Sequence, residues 1–304
     1  MITTVSFQEH EVLQLSDGDS RILISPSHGA RLLSWEMGGQ PVIFWPQQAD
    51  WNQLHNVRGG NPVLFPFIGR HMIDGEIGHW KDEDGTVRAL PMHGFAREME
   101  YRVLQSGQNT VHMRLESNAE TQAMYPFDFQ FDVVYKLNGS NLETRLETTN
   151  TGQNPLPYYA GHHFYFALPH EERAQWTLNL PCRQWGKQDF STGNINFREA
   201  DQKQASINGA QWVDRMNIDT GDKITLQNES QNRRLDILLD QSTQLWHAVT
   251  TWTENDEYDF YCIEPWLGLP NAIHHGHGLR RLSPGETESA TCSIEAKDWA
   301  AAAR

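Results

Sequence analysis

Three cysteines in 304 residues, at positions 182, 262 and 292, are too few and too scattered for a disulfide framework, and no CxxC pair offers a cysteine metal site. Cys182, Cys262 and Cys292 read as buried, reduced thiols. Positive charge is short as well: 24 Lys and Arg stand against 39 Asp and Glu, a formal net charge of −15. That balance works against neutralising nucleic-acid phosphates and against docking on an anionic membrane. No apolar run is long enough to span a bilayer, and no basic-then-apolar leader opens the chain, so the expected compartment is the cytoplasm. Repeats, low-complexity tracts, a linker-like shift in composition and a convincing helical period are all missing, and residues 1–304 are expected to form one domain. What remains is ample core material: 38% of the chain is hydrophobic, with 11 Trp, and only 21% is charged, which excludes disorder. The partner that fits such a chain is a small neutral or weakly anionic molecule, with no nucleic acid and no membrane.

Short strand-like runs separated by turn residues fill the chain. Glu11 to Leu15, Arg21 to Ser25, Ala30 to Met37 and Val42 to Pro46 read as a β-meander, with Asp17-Gly18-Asp19-Ser20 and Gly38-Gly39 as its turns. Asp74 to Trp80 and Asp82 to Gly85 read as two turns of a hairpin. Glu100 to Leu104, Val111 to Glu116, Phe127 to Leu137 and Leu142 to Thr149 alternate as antiparallel strands do, with Asn138-Gly139-Ser140-Asn141 between the last two. Trp176 to Leu180, Lys223 to Gln227, Arg234 to Leu239, Leu245 to Trp252 and Thr291 to Ala296 follow. The class is therefore all-β and antiparallel.

Within this frame a few residues stand out for chemistry. Glu264 is a lone acid in Phe260-Tyr261-Cys262-Ile263-Glu264-Pro265-Trp266, an apolar run expected to stop at Pro265. Two readings stand for Glu264: a desolvated general base, or a brace for the turn made by Pro265 and Gly268. Arg70 ends the stiff stretch Asn61-Pro62-Val63-Leu64-Phe65-Pro66-Phe67-Ile68-Gly69, either as a clamp for a hydroxylated ligand or as a surface charge. His93, in Met92-His93-Gly94-Phe95-Ala96-Arg97, reads in isolation as a satisfied core histidine. His162 and His163 invite a metal, but adjacent strand side chains point to opposite faces and no HExxH spacing accompanies them; no metal and no cofactor is expected. His274-His275-Gly276-His277 reads as a flexible loop. Taken together, Glu264, His163, His93, Arg70 and the many aromatics supply a base, an acid, further donors and flat apolar faces, an inventory suited to a sugar.

At these residues the chain resembles the aldose 1-epimerases (galactose mutarotases) and the related hexose-6-phosphate epimerases. The pieces that carry the resemblance are Phe65-Pro66-Phe67-Ile68-Gly69-Arg70, His93-Gly94-Phe95-Ala96-Arg97, Gly161-His162-His163-Phe164-Tyr165-Phe166, Cys262-Ile263-Glu264-Pro265-Trp266 and Leu282-Ser283-Pro284-Gly285-Glu286, in the family's order and over most of the chain. Phe164 stands where the family often has proline. The resemblance implies a large antiparallel β-sandwich of the galactose mutarotase-like supersandwich kind. It implies that Glu264 takes the proton of the anomeric hydroxyl while His163 protonates the ring oxygen, and that His93, Arg70 and Asp214 hold the sugar. Trp266, Phe65 and Tyr165 are the implied stacking faces. The expected activity is interconversion of the α and β anomers of a hexose. One alternative is glucose-6-phosphate 1-epimerase activity, with Arg58, Arg97 and Arg88 as phosphate ligands; another is a non-catalytic carbohydrate-binding module on the same fold.

Overall fold

Two large antiparallel sheets account for nearly all of the alternating runs. In the computed structural model, which describes residues 2–200, 203–208 and 212–299, the first sheet begins with five successive neighbours: Ile2–Phe7, His10–Asp17, Ser20–Ser25, Arg31–Met37 and Gln40–Ile43. The last four are the meander the sequence predicts, and Ile2–Phe7 adds an edge strand to it. The sheet then continues through Phe164–Ala167, Phe260–Trp266, Ala248–Trp252, Arg215–Ile218, Gln184–Gln188 and Ile195–Glu199. The second sheet runs Arg102–Ser106, Thr110–Glu116, Phe129–Asn138, Asn141–Asn150, Thr287–Lys297, Arg233–Leu239, Lys223–Asn228, Trp176–Asn179 and Gln204–Ser206.

The core lies between the sheets. In Asn141–Asn150 and Thr287–Lys297 buried and half-buried residues alternate, the signature of a sheet with one wet face. The middle of the first sheet differs: Phe164–Ala167 and Phe260–Trp266 are buried along their whole length. Side chains on their outer face are therefore covered by something other than the second sheet, and that covering forms the walls of a cleft.

Several local expectations need correction. Pro265 does not end its strand, which runs to Trp266 with Pro265 opposite Val249. The alternation that sends the Leu267 N–H to Ala160 O directs position 265 to the same side, where the neighbouring ladder is interrupted at His163. A missing N–H costs nothing there. The two acidic turns close separate hairpins, Met72–Ile73 with Glu76–Ile77 and His79–Lys81 with Val87–Ala89. A short helix, Ala119–Met124, escaped the pattern reading; Asn118 caps it by accepting from the Glu120 and Thr121 N–H groups. The histidine-rich segment is a helical turn, Ala272–His275, and not a loose loop: the His275 ring bonds Pro270 O at 2.8 Å and accepts the His277 N–H at 3.2 Å.

Candidate active site

The floor of the cleft is set by strand register. Phe164 pairs with Ile263 and Tyr165 with Cys262, so the residue before this ladder, His163, stands across from Glu264 on one face. Thr250 lies opposite Glu264 from the other side. The result is a contact of 3.4 Å between His163 Nε2 and Glu264 Oε2, with Glu264 1% exposed and His163 8% exposed. Among the described residues, Oε2 of Glu264 and Nδ1 of His163 have no hydrogen-bond partner. Burial pushes the Glu264 carboxyl well above its ordinary range, with the Asp214 charge adding to it, and burial pushes His163 well below its own. Neutral acid with neutral imidazole, or carboxylate with imidazolium, both hold one proton between the two groups. Burial favours the first of these, the neutral acid beside the neutral imidazole.

His162 faces the other way, as strand alternation requires. It is fully buried and stacked at 4.8 Å on Phe164. Asn61 Nδ2–H donates to its Nδ1 at 3.0 Å, and its Nε2–H donates to Thr144 Oγ1 at 3.0 Å. The same Asn61 accepts the His163 N–H on Oδ1 at 2.8 Å and donates its own N–H to Leu32 O at 2.7 Å. One buried amide therefore fixes both histidines, and burial holds His162 neutral with its pKa lowered to about 3.

His93 is locked by glycines. The Gly69 N–H donates to His93 Nδ1 at 3.1 Å while the His93 N–H returns a bond to Gly69 O at 2.9 Å. That leaves a neutral ring with its proton on Nε2. Gly94, at φ +75, could not be replaced: a Cβ there would meet Phe65 O at 2.1 Å. Burial lowers the His93 pKa well below its ordinary value, followed by the Arg97 charge, which favours the neutral ring. Its ring stands 5.6 Å from that of His163 and 6.2 Å from that of Trp266.

Four guanidiniums line the walls, those of Arg31, Arg58, Arg70 and Arg97, against the carboxylates of Glu264 and Asp214. Arg70 is exposed at the mouth, its guanidinium 4.5 Å from the Phe190 ring centroid. Arg58 pairs with Glu254 at 3.1 Å and lies 5.3 Å over Trp252. Arg97 is only 8% exposed, its Nε has no partner, and burial lowers its pKa. Asp214 lines the cleft from a left-handed backbone position, φ 54. Trp266 and Tyr165 also face the cleft, Tyr165 stacked on His163 with ring centroids 4.7 Å apart.

Two residues named from the sequence are elsewhere. Phe65 is fully buried in an aromatic cluster, stacked 4.2 Å from Phe131 of the other sheet, and offers no face to a ligand. Arg88 is held by Asp82 at 3.1 Å on the strand Val87–Ala89 and does not line the cleft. Conversely, Arg31, Thr250, Trp252, Gln188 and Phe190 line it without having been singled out. Arg31 donates to the carbonyls of Leu54, Val57 and Gly59 at 2.6–2.7 Å and so shapes the loop that carries Arg58. Thr250 and Trp252 share a face by simple alternation, a signal that becomes readable once their pairing with the Glu264 strand is known.

Comparison with known proteins agrees with this geometry. The family model described as aldose 1-epimerase matches residues 11–295. The LacX protein of Lactococcus lactis, chromosomal form, is 25% identical over 250 residues, covering 76% of this chain and 80% of the relative. A protein of Escherichia coli named putative glucose-6-phosphate 1-epimerase is 26% identical over a shorter stretch, 40% of this chain and 37% of its own length. Among solved structures, Slr1438 of Synechocystis superposes with a TM-score of 0.80 at 25% identity, covering 96% of this chain and 98% of that one. A galactose mutarotase related enzyme from Lactobacillus acidophilus gives 0.80 at 20% identity, with 96% and 99% covered. Two facing sheets, a floor carrying His163 and Glu264, and a family match over nearly the whole length lead to one conclusion: this chain belongs to the aldose 1-epimerase family and is an isomerase of the epimerase type.

Proposed function

We propose that the protein is an aldose 1-epimerase acting on a free hexose, with Glu264 as general base and His163 as general acid. The observation that carries this reading is the 3.4 Å contact between His163 and Glu264, two buried titratable groups at the floor of an open cleft. A sugar whose anomeric hydroxyl bonds Glu264 favours the carboxylate form, and the shared proton then stands on His163, ready for the ring oxygen. Transfer of the O1 proton to Glu264 and of the His163 proton to the ring oxygen opens the pyranose to its aldehyde. Rotation about C1–C2 and the reverse transfers close the other anomer, and the pair ends with one proton, as it began. His93 donates Nε2–H to the ring oxygen or a neighbouring hydroxyl, Arg70 and Asp214 hold hydroxyls, and Trp266 and Tyr165 supply apolar faces.

A second reading, epimerisation of a hexose 6-phosphate, draws on Arg97. A buried guanidinium with an unpartnered Nε beside Arg58 is suited to a phosphate in a way that a neutral sugar does not require. The free sugar is preferred because Glu254 already engages Arg58. Polarimetry on fresh α-D-glucose and α-D-galactose, alongside an anomer-specific assay of glucose 6-phosphate, separates the two. Acceleration confined to the phosphorylated sugar reverses the assignment, and no acceleration of any sugar points to a binding module. For the mechanism, Glu264→Gln is expected to lower turnover by about 10²–10⁴-fold while calorimetry still detects sugar binding. Unchanged turnover in that variant would sink the role given to Glu264.

A further inference from the structure

Beneath the His163–Glu264 pair lies a third group that sugar chemistry leaves unused. Cys262 precedes Glu264 by two residues on the same strand and so shares its face, and its cross-strand neighbours are Tyr165 and Trp252. It is fully buried and free, and it is not among the residues that line the cleft. His163, Cys262 and Glu264 each offer one ligand atom, and these atoms all lie within 4.8 Å of one another. We infer that His163, Cys262 and Glu264 form an inhibitory site for a borderline-soft divalent cation of the zinc class, which binds at the acid/base pair and displaces the sugar.

Three observations support this. Imidazole, thiolate and carboxylate are the donor types zinc takes, and three protein ligands with one position open to a cleft is an arrangement it adopts. The His163–Glu264 separation of 3.4 Å already equals the edge of a tetrahedron built on bonds of about 2.1 Å, so only the Cys262 sulfur has to approach. The orphaned Oε2 of Glu264 is an unsatisfied polar atom in a residue 1% exposed, so a ligand here repays a cost already present in the fold. Loading releases two protons, the thiol proton and the one the pair shares, and nothing is oxidised or reduced. The thiolate and the carboxylate cancel the ion's two charges, which matters in a cleft whose walls carry Arg31, Arg58 and Arg97. The ion enters from the cleft between His163 and Glu264, and Cys262 closes the site from below.

Binding is independent of the proposed epimerase reaction, whereas inhibition rests on it, and the test keeps the two apart. The full-length protein is titrated with Co²⁺, a spectroscopic substitute for zinc, and absorption is recorded alongside mutarotation in the presence of Zn²⁺. One equivalent of cobalt with a thiolate-to-cobalt charge-transfer band in the near ultraviolet is expected, together with zinc inhibition that added sugar relieves. Cys262→Ala is expected to keep its basal turnover, lose the charge-transfer band and weaken zinc inhibition by at least about ten-fold. Cys262→Ser serves as a second variant should the alanine disturb packing. His277→Gln, at the separate histidine-rich turn, is expected to change neither readout. Cobalt binding without the thiolate band, no binding at all, or zinc inhibition that persists undiminished in both Cys262 variants overturns the inference. If no sugar is epimerised, the absorption titration alone decides it.

Discussion

His162 and His163 are neighbours in the chain and opposites in circumstance. On the inner face, His162 has a partner on each ring nitrogen and lies wholly inside the core. On the outer face, His163 keeps Nδ1 empty and turns Nε2 toward a carboxylate that has nothing else on that oxygen. The same side chain in the same segment is a structural member when its polarity is satisfied and is left free for chemistry when it is not. Sequence position says little about which; the partner list says nearly everything.

The sharpest way to test that contrast is to break the reactive side in combination. If Glu264 and His163 work as one unit, His163→Ala alone lowers turnover by about 10²–10⁴-fold, and adding Glu264→Gln costs little more. Losses that multiply in the double variant, measured by polarimetry, would mean the two residues act separately. On the inner face, His162→Leu leaves the Asn61 amide with only the Tyr135 hydroxyl, at 3.5 Å, and removes one partner of the Thr144 hydroxyl, which keeps Cys292 O at 3.3 Å. Urea unfolding is expected to show a loss of about 1–3 kcal/mol, with turnover of the folded fraction kept within a few-fold. A specific collapse of turnover at unchanged stability would erase the distinction.

Acid sharpens the comparison further. Burial lowers the folded His162 to about 3, against an ordinary value of 6.5, so the unfolded chain binds the extra proton as pH falls below about 6.5. Stability from this group is complete above that pH and drains away as pH falls toward 3, by about 1.4 kcal/mol per pH unit. His162→Leu should flatten the dependence by one proton, and an unaltered slope in denaturation midpoints would assign it to other groups. The smallest effect is expected at the mouth. Phe190→Ala removes the ring beneath Arg70 and is expected to raise KM by a few-fold, about 0.5–1 kcal/mol, at constant kcat, with Phe190→Tyr restoring it. A change in kcat instead would give Phe190 a different part.

Much of this was readable before any coordinates. Period-two alternation exposes the meander and the paired strands because each has a polar face to contrast with its buried one. The alternation rule likewise separates His162 from His163. What stayed hidden depends on pairing between distant strands. Arg31 and Thr250 reach the cleft through register, which no local pattern encodes, and Phe65 looks like a ligand face until the facing sheet delivers Phe131 to stack on it. The strand's continuation through Pro265 is hidden for a related reason: the cost of a missing N–H depends on what the neighbour offers there, and that neighbour, at His163, lies far away in the chain.

Asn61 has a consequence for anyone redesigning this protein. Since one side chain holds the core histidine and the backbone of its cleft-facing neighbour, the depth of the cleft floor is fixed by the same bonds that stabilise the sandwich. Libraries aimed at a new sugar would waste most of their members on misfolded chains if they varied the floor. The mouth, where Phe190 is 52% exposed and Arg70 and Met92 stand at the rim, offers variation with little penalty in yield. Inventiveness in this fold belongs at the entrance, and fidelity at the bottom.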